Sequence, residues 1–349
     1  MVYMHQIYWE RVRRSLRKHS LTTLFRLSFL LFLTGSSAYG CASTKPDVPY
    51  LTPASADSQA IYITVADKNG HVNRIELEDY LLGTILSEAS FKNLNRAASK
   101  RVAEVQAILA RTYAISNLDR HKHEGFNLCS TTHCQVHTAL NKWPQHLVDL
   151  ANDAITTTHG VVIGYNNLPI NAVFHAACGG HTSDAEKVWI GTTPPYLRGA
   201  PDRFCHGDIS LPWTFQTDLA TLRQLLNKNR SNSVGRNLDR ITVLETDIAG
   251  RVQKILFEGE KTATLSGESL RRLITSLHGP RSIRSTKFKV VVKNRQAQFI
   301  GTGFGHGVGL CQTGTMARAR LGETPQAILK HYYPGTTLIR IGQPHIFPL

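Results

Sequence analysis

The stretch from Gly301 to Gly314, GTGFGHGVGLCQTG, places a glycine at every second position from 301 to 309. On an extended chain successive side chains point to opposite faces, so this spacing predicts one face without side chains. Such a face permits close approach by another backbone or by a ligand. Two interpretations follow: a tightly packed run with a structural histidine, or a ligand-binding surface. The polar residues His306, Cys311 and Gln312 favour the second.

A helix is predicted over Arg101 to Ile115, RVAEVQAILARTYAI, because its apolar residues have the spacing of one buried face and it contains neither Gly nor Pro. Upstream, the apolar segment Glu78 to Leu86 leads into Glu88, which has apolar and small neighbours. A carboxylate in such surroundings loses hydration, which raises its pKa and suits it to hold a proton near neutral pH. Taken alone, a glutamate of this kind is more often a surface or helix-terminal residue.

Motifs at five places resemble, in order along the chain, the SpoIID/LytB family, named for the stage II sporulation protein D and the amidase enhancer. They are Tyr80-Leu81 with Gly83 and Glu88, Gln106-Ala107 with Ala110 to Ala114, Cys178-Gly179-Gly180 with the residues after it, Gly250-Arg251-Val252 to Phe288, and the glycine run with HYYPGT at 331–336. The chain departs from the family at Ala89-Ser90, where Met-Pro is usual, and at Cys311, where Ser is usual. Helical and strand patterns mix without regular alternation, so we expect a single α+β domain over residues 61–340.

The resemblance implies a lytic transglycosylase that cleaves peptidoglycan between N-acetylmuramic acid and N-acetylglucosamine in strands stripped of their peptides. It assigns Glu88 as the catalytic acid. It also implies a set of substrate-binding residues: Arg111, Tyr113, Gln135, Gly305, His306, Gly307 and Gln312. The alternative is a wall-binding protein without catalysis that activates a partner N-acetylmuramoyl-L-alanine amidase and does not depend on Glu88.

Histidine and cysteine are concentrated in the segment from 121 to 137, HKHEGFNLCSTTHCQVH. Thiolate and imidazole are the ligands that zinc prefers, so we predict a structural Zn²⁺ site formed by His123, Cys129, His133 and Cys134. Some members of the resembled family bind zinc at this segment and others do not. A disulfide between Cys129 and Cys134 is the alternative in an oxidising compartment.

The remaining cysteines leave further alternatives open. Cys178 and Cys205 are either a disulfide or two buried thiols. A cysteine nucleophile, Cys178 or Cys311 with His175 or His306 as base, requires a third group to orient the base.

The amino terminus has the pattern of an export signal. Basic residues at 11–18 are followed by the apolar run Leu27 to Leu33 and by small residues up to Cys41. The apolar run is too short to span a bilayer, so residues 1–40 are predicted to be a signal segment. Cys41 resembles a lipoprotein acceptor that would tether the protein to a membrane, with simple cleavage as the alternative. Residues 41–60 are then a linker, residues 341–349 a tail, and the cell envelope or periplasm the expected location.

The chain is strongly basic, with a formal net charge of +15. Residues 1–40 carry six Lys/Arg and one Glu, a net +5, so their removal leaves +10. A charge of this size favours anionic polymers as partners. Because the chain is expected to be exported, we predict peptidoglycan glycan strands as the partner and no nucleic acid.

Overall fold

A computed structural model describes residues 60–189, 191–206 and 211–341. The predicted signal segment, Cys41, the linker before residue 60 and the tail beyond Ile341 lie outside the described residues. Within them, helices and small sheets mix without regular alternation, which confirms the predicted α+β class.

The amino-terminal part of the fold surrounds one long helix. Its elements in chain order are β1 (Tyr62–Ala66), β2 (Val72–Glu76), α1 (Leu77–Glu88), α2 (Arg96–Ser116), β3 (Leu128–Cys129), α3 (Gln145–Thr157), β4 (Val161–Tyr165), β5 (Leu168–Pro169) and β6 (Phe174–His175). The predicted helix is α2, and it begins five residues earlier than its apolar pattern because the Asn95 side chain accepts a hydrogen bond from Ala98 N–H.

Helix α2 is buried on almost all sides from Val102 to Ala114. It packs against α1, α3 and β4, so it joins the elements that precede it to those that follow. Arg111 supplies the polar part of this contact. Its guanidinium donates to both carboxylate oxygens of Glu78 at 2.8 and 2.6 Å and to the Val161 carbonyl at 3.0 Å.

Residues 213–299 form a hydrophobic core of their own. The elements of this region are β7 (Trp213–Asp218), α4 (Leu219–Asn227), β8 (Leu238–Thr246), β9 (Val252–Gly259), β10 (Thr262–Leu265), α5 (Gly267–His278), β11 (Phe288–Lys293) and β12 (Gln296–Gly301). They make two three-stranded sheets, ordered β10-β9-β8 and β11-β12-β7. The core holds no residue from outside 213–299, so the region is an insertion between two parts of the surrounding fold.

The chain returns from this insertion to the first part of the fold through the glycine run. It continues as β13 (Leu310–Cys311), α6 (Gln312–Arg320), α7 (Pro325–Tyr332) and β14 (Thr337–Arg340). Strand β13 pairs with β6 in parallel, and β14 pairs with β4 in the antiparallel direction. Helices α6 and α7 both contact α2.

The prediction of an extended glycine run with one bare face is wrong. Strand β12 ends at Gly301, and Gly303, Gly305, Gly307 and Gly309 all have positive φ, between 69° and 99°. A left-handed residue at alternate positions coils the chain, so side chains no longer alternate between two faces. The run is a loop held by other backbones, which is the packing interpretation.

Gly309 and Gly322 allow this packing to be tested at matched positions. Both have positive φ, 69° and 89°, but a Cβ on Gly309 would lie 2.1 Å from the Val173 carbonyl oxygen, whereas Gly322 has nothing within 4 Å. We expect Gly322→Ala to cost roughly 1 to 2 kcal/mol from backbone strain. Gly309→Ala should cost on the order of 3 kcal/mol or more, because overpacking adds to that strain. Urea unfolding measures both, and equal losses would contradict the tight backbone contact.

Candidate functional site

Glu88 is the last residue of helix α1. The next residue, Ala89, is extended and donates its N–H to the Ile85 carbonyl at 2.9 Å, which closes the helix. The carboxyl group therefore lies at the carbonyl end of the helix dipole, where an anion is disfavoured. This position is unusual for a structural carboxylate.

A loop of residues 130–139 lies directly against α1. Gly83 makes the approach possible, because a Cβ there would lie 2.6 Å from both His137 Cε1 and the Thr138 carbonyl oxygen. Ser87 Oγ and Thr138 Oγ1 are 2.8 Å apart, and His137 Nδ1 donates to the Tyr80 carbonyl at 3.1 Å. The glycine of the Tyr-Leu-x-Gly motif thus serves the contact between the helix and this loop.

The loop delivers a backbone hydrogen bond to the carboxyl group of Glu88. Val136 N–H donates to Glu88 Oε1 at 2.6 Å. From the other side, Gln312, the first residue of α6, donates from Nε2 to the Glu88 backbone carbonyl at 3.0 Å and also hydrogen-bonds the carboxyl group. The structure therefore brings together two motifs that are 224 residues apart in sequence.

The pKa of Glu88 is raised, mainly because burial removes water from its charged form. The hydrogen bonds from Val136 and Gln312 act in the opposite direction but do not reverse the shift. Among the residues that the structure describes, no second carboxylate contributes to it. Glu88 is thus a single carboxyl group that is suited to carry a proton, as the sequence predicted.

Two tyrosines are close enough for the charge of Glu88 to affect them. Burial, and to a smaller extent Glu88, raises the pKa of both Tyr80 and Tyr113. The Tyr80 ring stacks on His137 with centroids 5.0 Å apart, and its hydroxyl is buried without a hydrogen-bond partner. Tyr113, a predicted substrate-binding residue, meets the Phe174 ring edge-to-face at 6.5 Å.

Gln135, also predicted to bind substrate, precedes Val136 in the loop. Its side chain is fully buried and donates from Nε2 to the Ala110 carbonyl at 3.2 Å, while Oε1 has no partner. The amide therefore holds the loop on α2 and offers one free acceptor.

Arg111, predicted to bind substrate, is occupied by contacts within the protein. The residue is 0% exposed, and its guanidinium is committed to Glu78 and to the Val161 carbonyl. The Ala-Arg-Thr-Tyr-Ala motif thus marks a buried ion pair at this position.

His306 is likewise occupied within the protein. Nε2–H donates to the Phe174 carbonyl at 2.8 Å, and Nδ1 accepts from Val308 N–H at 3.1 Å. Burial lowers its pKa to about 3, so the ring is neutral. Both ring nitrogens are thus used within the protein, and substrate binding by His306 stays a prediction.

Gly305 and Gly307 do not form an open surface either. A Cβ on Gly305 would lie 2.8 Å from His175 Cβ, and one on Gly307 would lie 2.2 Å from Arg251 Nε. Both glycines serve close internal packing, and their role in binding substrate stays a prediction. Gln312 is the member of the glycine-run motif that reaches Glu88.

Four residues near the loop could hold a metal ion: His121, Cys129, His133 and Cys134, whose ligand atoms all lie within 4.8 Å of one another. The predicted ligand His123 does not belong to this group, because it is exposed on a short 3₁₀ turn, whereas His121 is buried. His121 Nε2 lies 3.3 Å from Cys134 Sγ, and its Nδ1 contacts Glu124 Oε1 at 2.6 Å. A carboxylate on the far nitrogen is the usual means of orienting a metal-binding imidazole.

All five described cysteines are free thiols, so neither disulfide considered from the sequence is formed. The Cys/His group is connected to Glu88 through the chain itself. Cys134 and Val136 are two residues apart, and His137 N–H donates to the Ser130 carbonyl at 3.4 Å to close the loop. Order in the Cys/His group is thereby transmitted to the amide that holds Glu88.

Sequence reasoning missed Val136 and His121. Val136 acts through its backbone N–H, which carries no signature in the side-chain sequence. His121 and His123 are two residues apart, and only the turn between them decides which one faces the thiols.

No helix in the described part of the chain has the length and apolar character needed to cross a membrane.

Comparison with known proteins gives two matches to family models. The SpoIID family model, described as Stage II sporulation protein, matches residues 66–165, which include Glu88 and the Cys/His group. A model described only as a domain of unknown function, DUF8618, matches residues 206–309, which include the insertion. Residues 66–165 of the chain thus carry the SpoIID family match, in agreement with the resemblance seen in the sequence.

Three relatives illustrate the relationship. An uncharacterised protein of Brachyspira hyodysenteriae is 28% identical over 77% of this chain and 68% of its own. The stage II sporulation protein D of Bacillus subtilis is 27% identical over 82% of this chain and 80% of its own. The amidase enhancer of the same organism is 29% identical over 69% of this chain, and the match spans 38% of that longer protein.

The raised pKa of Glu88 makes a prediction about stability. The folded protein binds more protons than the unfolded chain between the unfolded and folded pKa values, so stability falls as pH rises through that interval and remains lower above it. Glu88→Gln removes this penalty and keeps an acceptor for Val136 N–H. We expect a higher urea midpoint than wild type at pH 7 and a smaller difference at acidic pH.

Glu245 is the control, because its pKa is shifted in the opposite direction. It is exposed, and its pKa is lowered by a hydrogen bond from Lys254. Glu245→Gln should therefore give no gain at pH 7. A loss of stability in Glu88→Gln at pH 7 would show that the fold favours the carboxylate and would contradict a proton-carrying role.

Proposed function

We propose that the protein is a peptidoglycan lytic transglycosylase that cleaves between N-acetylmuramic acid and N-acetylglucosamine in peptide-free glycan strands. The observation that supports this is the single buried carboxyl group of Glu88, with a raised pKa and with Val136 and Gln312 bound to it. Hydrolysis by water normally requires two carboxyl groups on opposite sides of the bond. A transglycosylase requires one, because the sugar supplies its own nucleophile.

Because Val136 N–H donates to only one oxygen of Glu88, the two carboxyl oxygens have different roles in this proposal. Oε1 accepts the amide, so the transferable proton belongs on Oε2. Glu88 gives this proton to the glycosidic oxygen as the bond to the anomeric carbon breaks. The carboxylate then takes the proton from the muramyl 6-hydroxyl as that oxygen bonds to the anomeric carbon, which leaves a 1,6-anhydro end and regenerates the acid.

The substrate class agrees with the charge of the chain. Peptide-free strands expose lactyl carboxylates, and the chain without residues 1–40 has a formal charge of +10 after their net +5 is removed from +15. Export to the cell envelope, through the signal predicted at residues 1–40 and with or without lipid on Cys41, belongs to this proposal.

We also propose that the Cys/His group holds a structural zinc ion. Two thiolates and two imidazoles match the ligand preference of Zn²⁺, and four protein ligands leave no position for a reactive water. The ion would order the loop that carries Val136. Its role is therefore to position Glu88 and not to take part in bond cleavage.

A second function is kept because one relative is named an amidase enhancer. In this alternative the protein binds glycan and activates a partner amidase, and Glu88 is not required. The two functions differ in their dependence on a single carboxyl group.

Substitution of Glu88 by Gln tests the main proposal. Gln keeps the shape and the acceptor for Val136 but has no proton to transfer, so cleavage of amidase-treated peptidoglycan should fall by about a hundred- to ten-thousand-fold while strand binding is retained. Soluble products of the wild type should carry 1,6-anhydro ends by mass spectrometry.

Glu104→Gln is the matched control. Glu104 is also a partly buried carboxyl group with a pKa raised by burial, but it lies on α2 and pairs with Lys100 at 3.9 Å. It should leave cleavage unchanged. Equal release of glycan by wild type and Glu88→Gln, together with stimulation of an added amidase, would favour the activator function, and reducing ends would mean that water is the nucleophile.

Removal of the proposed zinc should affect Glu88 indirectly, through the loop that carries Val136. We expect Cys129→Ser to lose one equivalent of zinc and to lower glycan cleavage, because the loop no longer holds Val136 N–H against Glu88. Metal content is measured by mass spectrometry of acid-digested protein, and His123→Ala, outside the group, should keep it. Loss of zinc from His123→Ala would restore the ligand set expected from the sequence.

A further inference from the structure

Three cysteine thiols meet at a second place in the fold, away from the Cys/His group. Cys178 follows β6, Cys205 lies in the segment that leads into the insertion, and Cys311 is the residue before α6. All three are 0% exposed. The three thiols interact with one another, so three sulfur atoms from distant parts of the sequence lie close together in one buried site.

Backbone N–H groups point at these sulfurs. Cys311 Sγ accepts from Cys178 N–H and from Gly314 N–H, both at 3.3 Å, and Cys178 Sγ accepts from Gly180 N–H at 3.3 Å. Cys205 accepts from the backbone of Cys178 and Gly179. Cys178 Sγ also lies 3.5 Å from Asp202 Oδ2, to which its thiol donates. A thiol sulfur is a weak acceptor, whereas a metal-bound thiolate would gain from every one of these N–H donors.

An imidazole nitrogen with no partner completes the site. A ring nitrogen of His175 lies within 4.8 Å of the sulfurs of Cys178 and Cys311. Nδ1 must carry the proton, because it contacts the Val308 carbonyl at 3.1 Å and a carbonyl only accepts. Nε2 therefore carries a lone pair, and it is buried without a hydrogen-bond partner in a residue that is 4% exposed.

Two cations lie next to the cluster. Arg251, fully buried, donates from one terminal nitrogen to the Cys178 carbonyl at 3.3 Å, and Lys287 Nζ donates to the Gly179 carbonyl at 2.6 Å. Both interact electrostatically with the thiols. Asp247 also acts on both cations, and metal-bound thiolates would add to the negative charge beside the fully buried Arg251 and the half-buried Lys287.

We propose that Cys178, Cys311 and His175, whose ligand atoms lie within 4.8 Å of one another, hold a second, buried zinc ion together with Cys205, whose thiol interacts with both sulfurs. Three thiolates and one imidazole are a standard closed ligand set for Zn²⁺, and the carbonyl on Nδ1 fixes the tautomer that presents Nε2. The resulting net charge of −1 is offset by Arg251 and Lys287. Asp202 is less suited as the fourth ligand, because one of its oxygens already accepts from the Tyr332 hydroxyl at 2.8 Å.

The proposed ion has a structural consequence for the candidate active site. Cys311 immediately precedes Gln312, which contacts Glu88. A metal on Cys311 would fix the start of α6 against the segment after β6, and so would hold Gln312 in place. The two ions would then support the two sides of Glu88 separately, one through Val136 and one through Gln312.

Metal analysis of the full chain and of matched variants tests this proposal. Purified without chelators, the wild type should contain two zinc ions per chain, Cys205→Ser one, Cys129→Ser one, and the double variant none. His175→Gln should weaken the second site by more than the roughly 10- to 100-fold that loss of an outer hydrogen-bond partner causes, measured by competition with a chelator. Unchanged affinity in His175→Gln would overturn its assignment as a ligand.

If Cys205→Ser does not fold, the wild-type protein alone still tests the second metal site. Replacement of zinc by Co²⁺ gives thiolate-to-cobalt charge-transfer absorption in proportion to the number of cobalt–sulfur bonds, and the second site should add three to those of the Cys/His group. A wild-type protein with one metal ion per chain would overturn the proposal. So would an intact mass that shows a disulfide among Cys178, Cys205 and Cys311.

Discussion

The candidate site depends on the close approach of two backbones, residues 302–310 and residues 173–183. Phe304 and Ala177 exchange both N–H···O bonds, at 2.9 and 3.0 Å, and Ser183 N–H donates to the Gly307 carbonyl at 2.8 Å. Side chains at the glycine positions would prevent this contact. Because α6 begins directly after the run, the contact decides where Gln312 lies and therefore what surrounds Glu88.

The environment of Glu88 combines opposing effects. Burial and the end of a helix disfavour its charge, while an amide and a side-chain amide stabilise it. The net effect is a raised pKa, and the hydrogen bond from Val136 to Oε1 makes the two oxygens unequal. This environment requires elements from both ends of the chain, since α1 supplies Glu88, the loop of residues 130–139 supplies Val136 and α6 supplies Gln312.

The sequence predicted the parts that depend on local periodicity and on family resemblance. Helix α2 follows from its apolar spacing, and Glu88 from the motif around it. The prediction of an extended glycine run was wrong because a strand and a loop with a left-handed residue at alternate positions share a period of two. Arg111 was assigned to substrate because a motif does not reveal whether a cation faces solvent or a buried carboxylate such as Glu78. The cysteine cluster was seen only as possible pairs, because 178, 205 and 311 meet through tertiary contacts.

The insertion of residues 213–299 lies between Val136 and Gln312 in the sequence, so it also separates them in the order of synthesis. A chain synthesised from its amino terminus contains Glu88, α2 and the loop with Val136 long before Gln312 exists. The insertion can bury its own core independently, but the glycine run must then return to residues 173–183 across a large sequence separation, a step that is slow in folding. Gln312 is the last of these residues to be synthesised, so a chain that ends before it cannot carry the finished arrangement around Glu88.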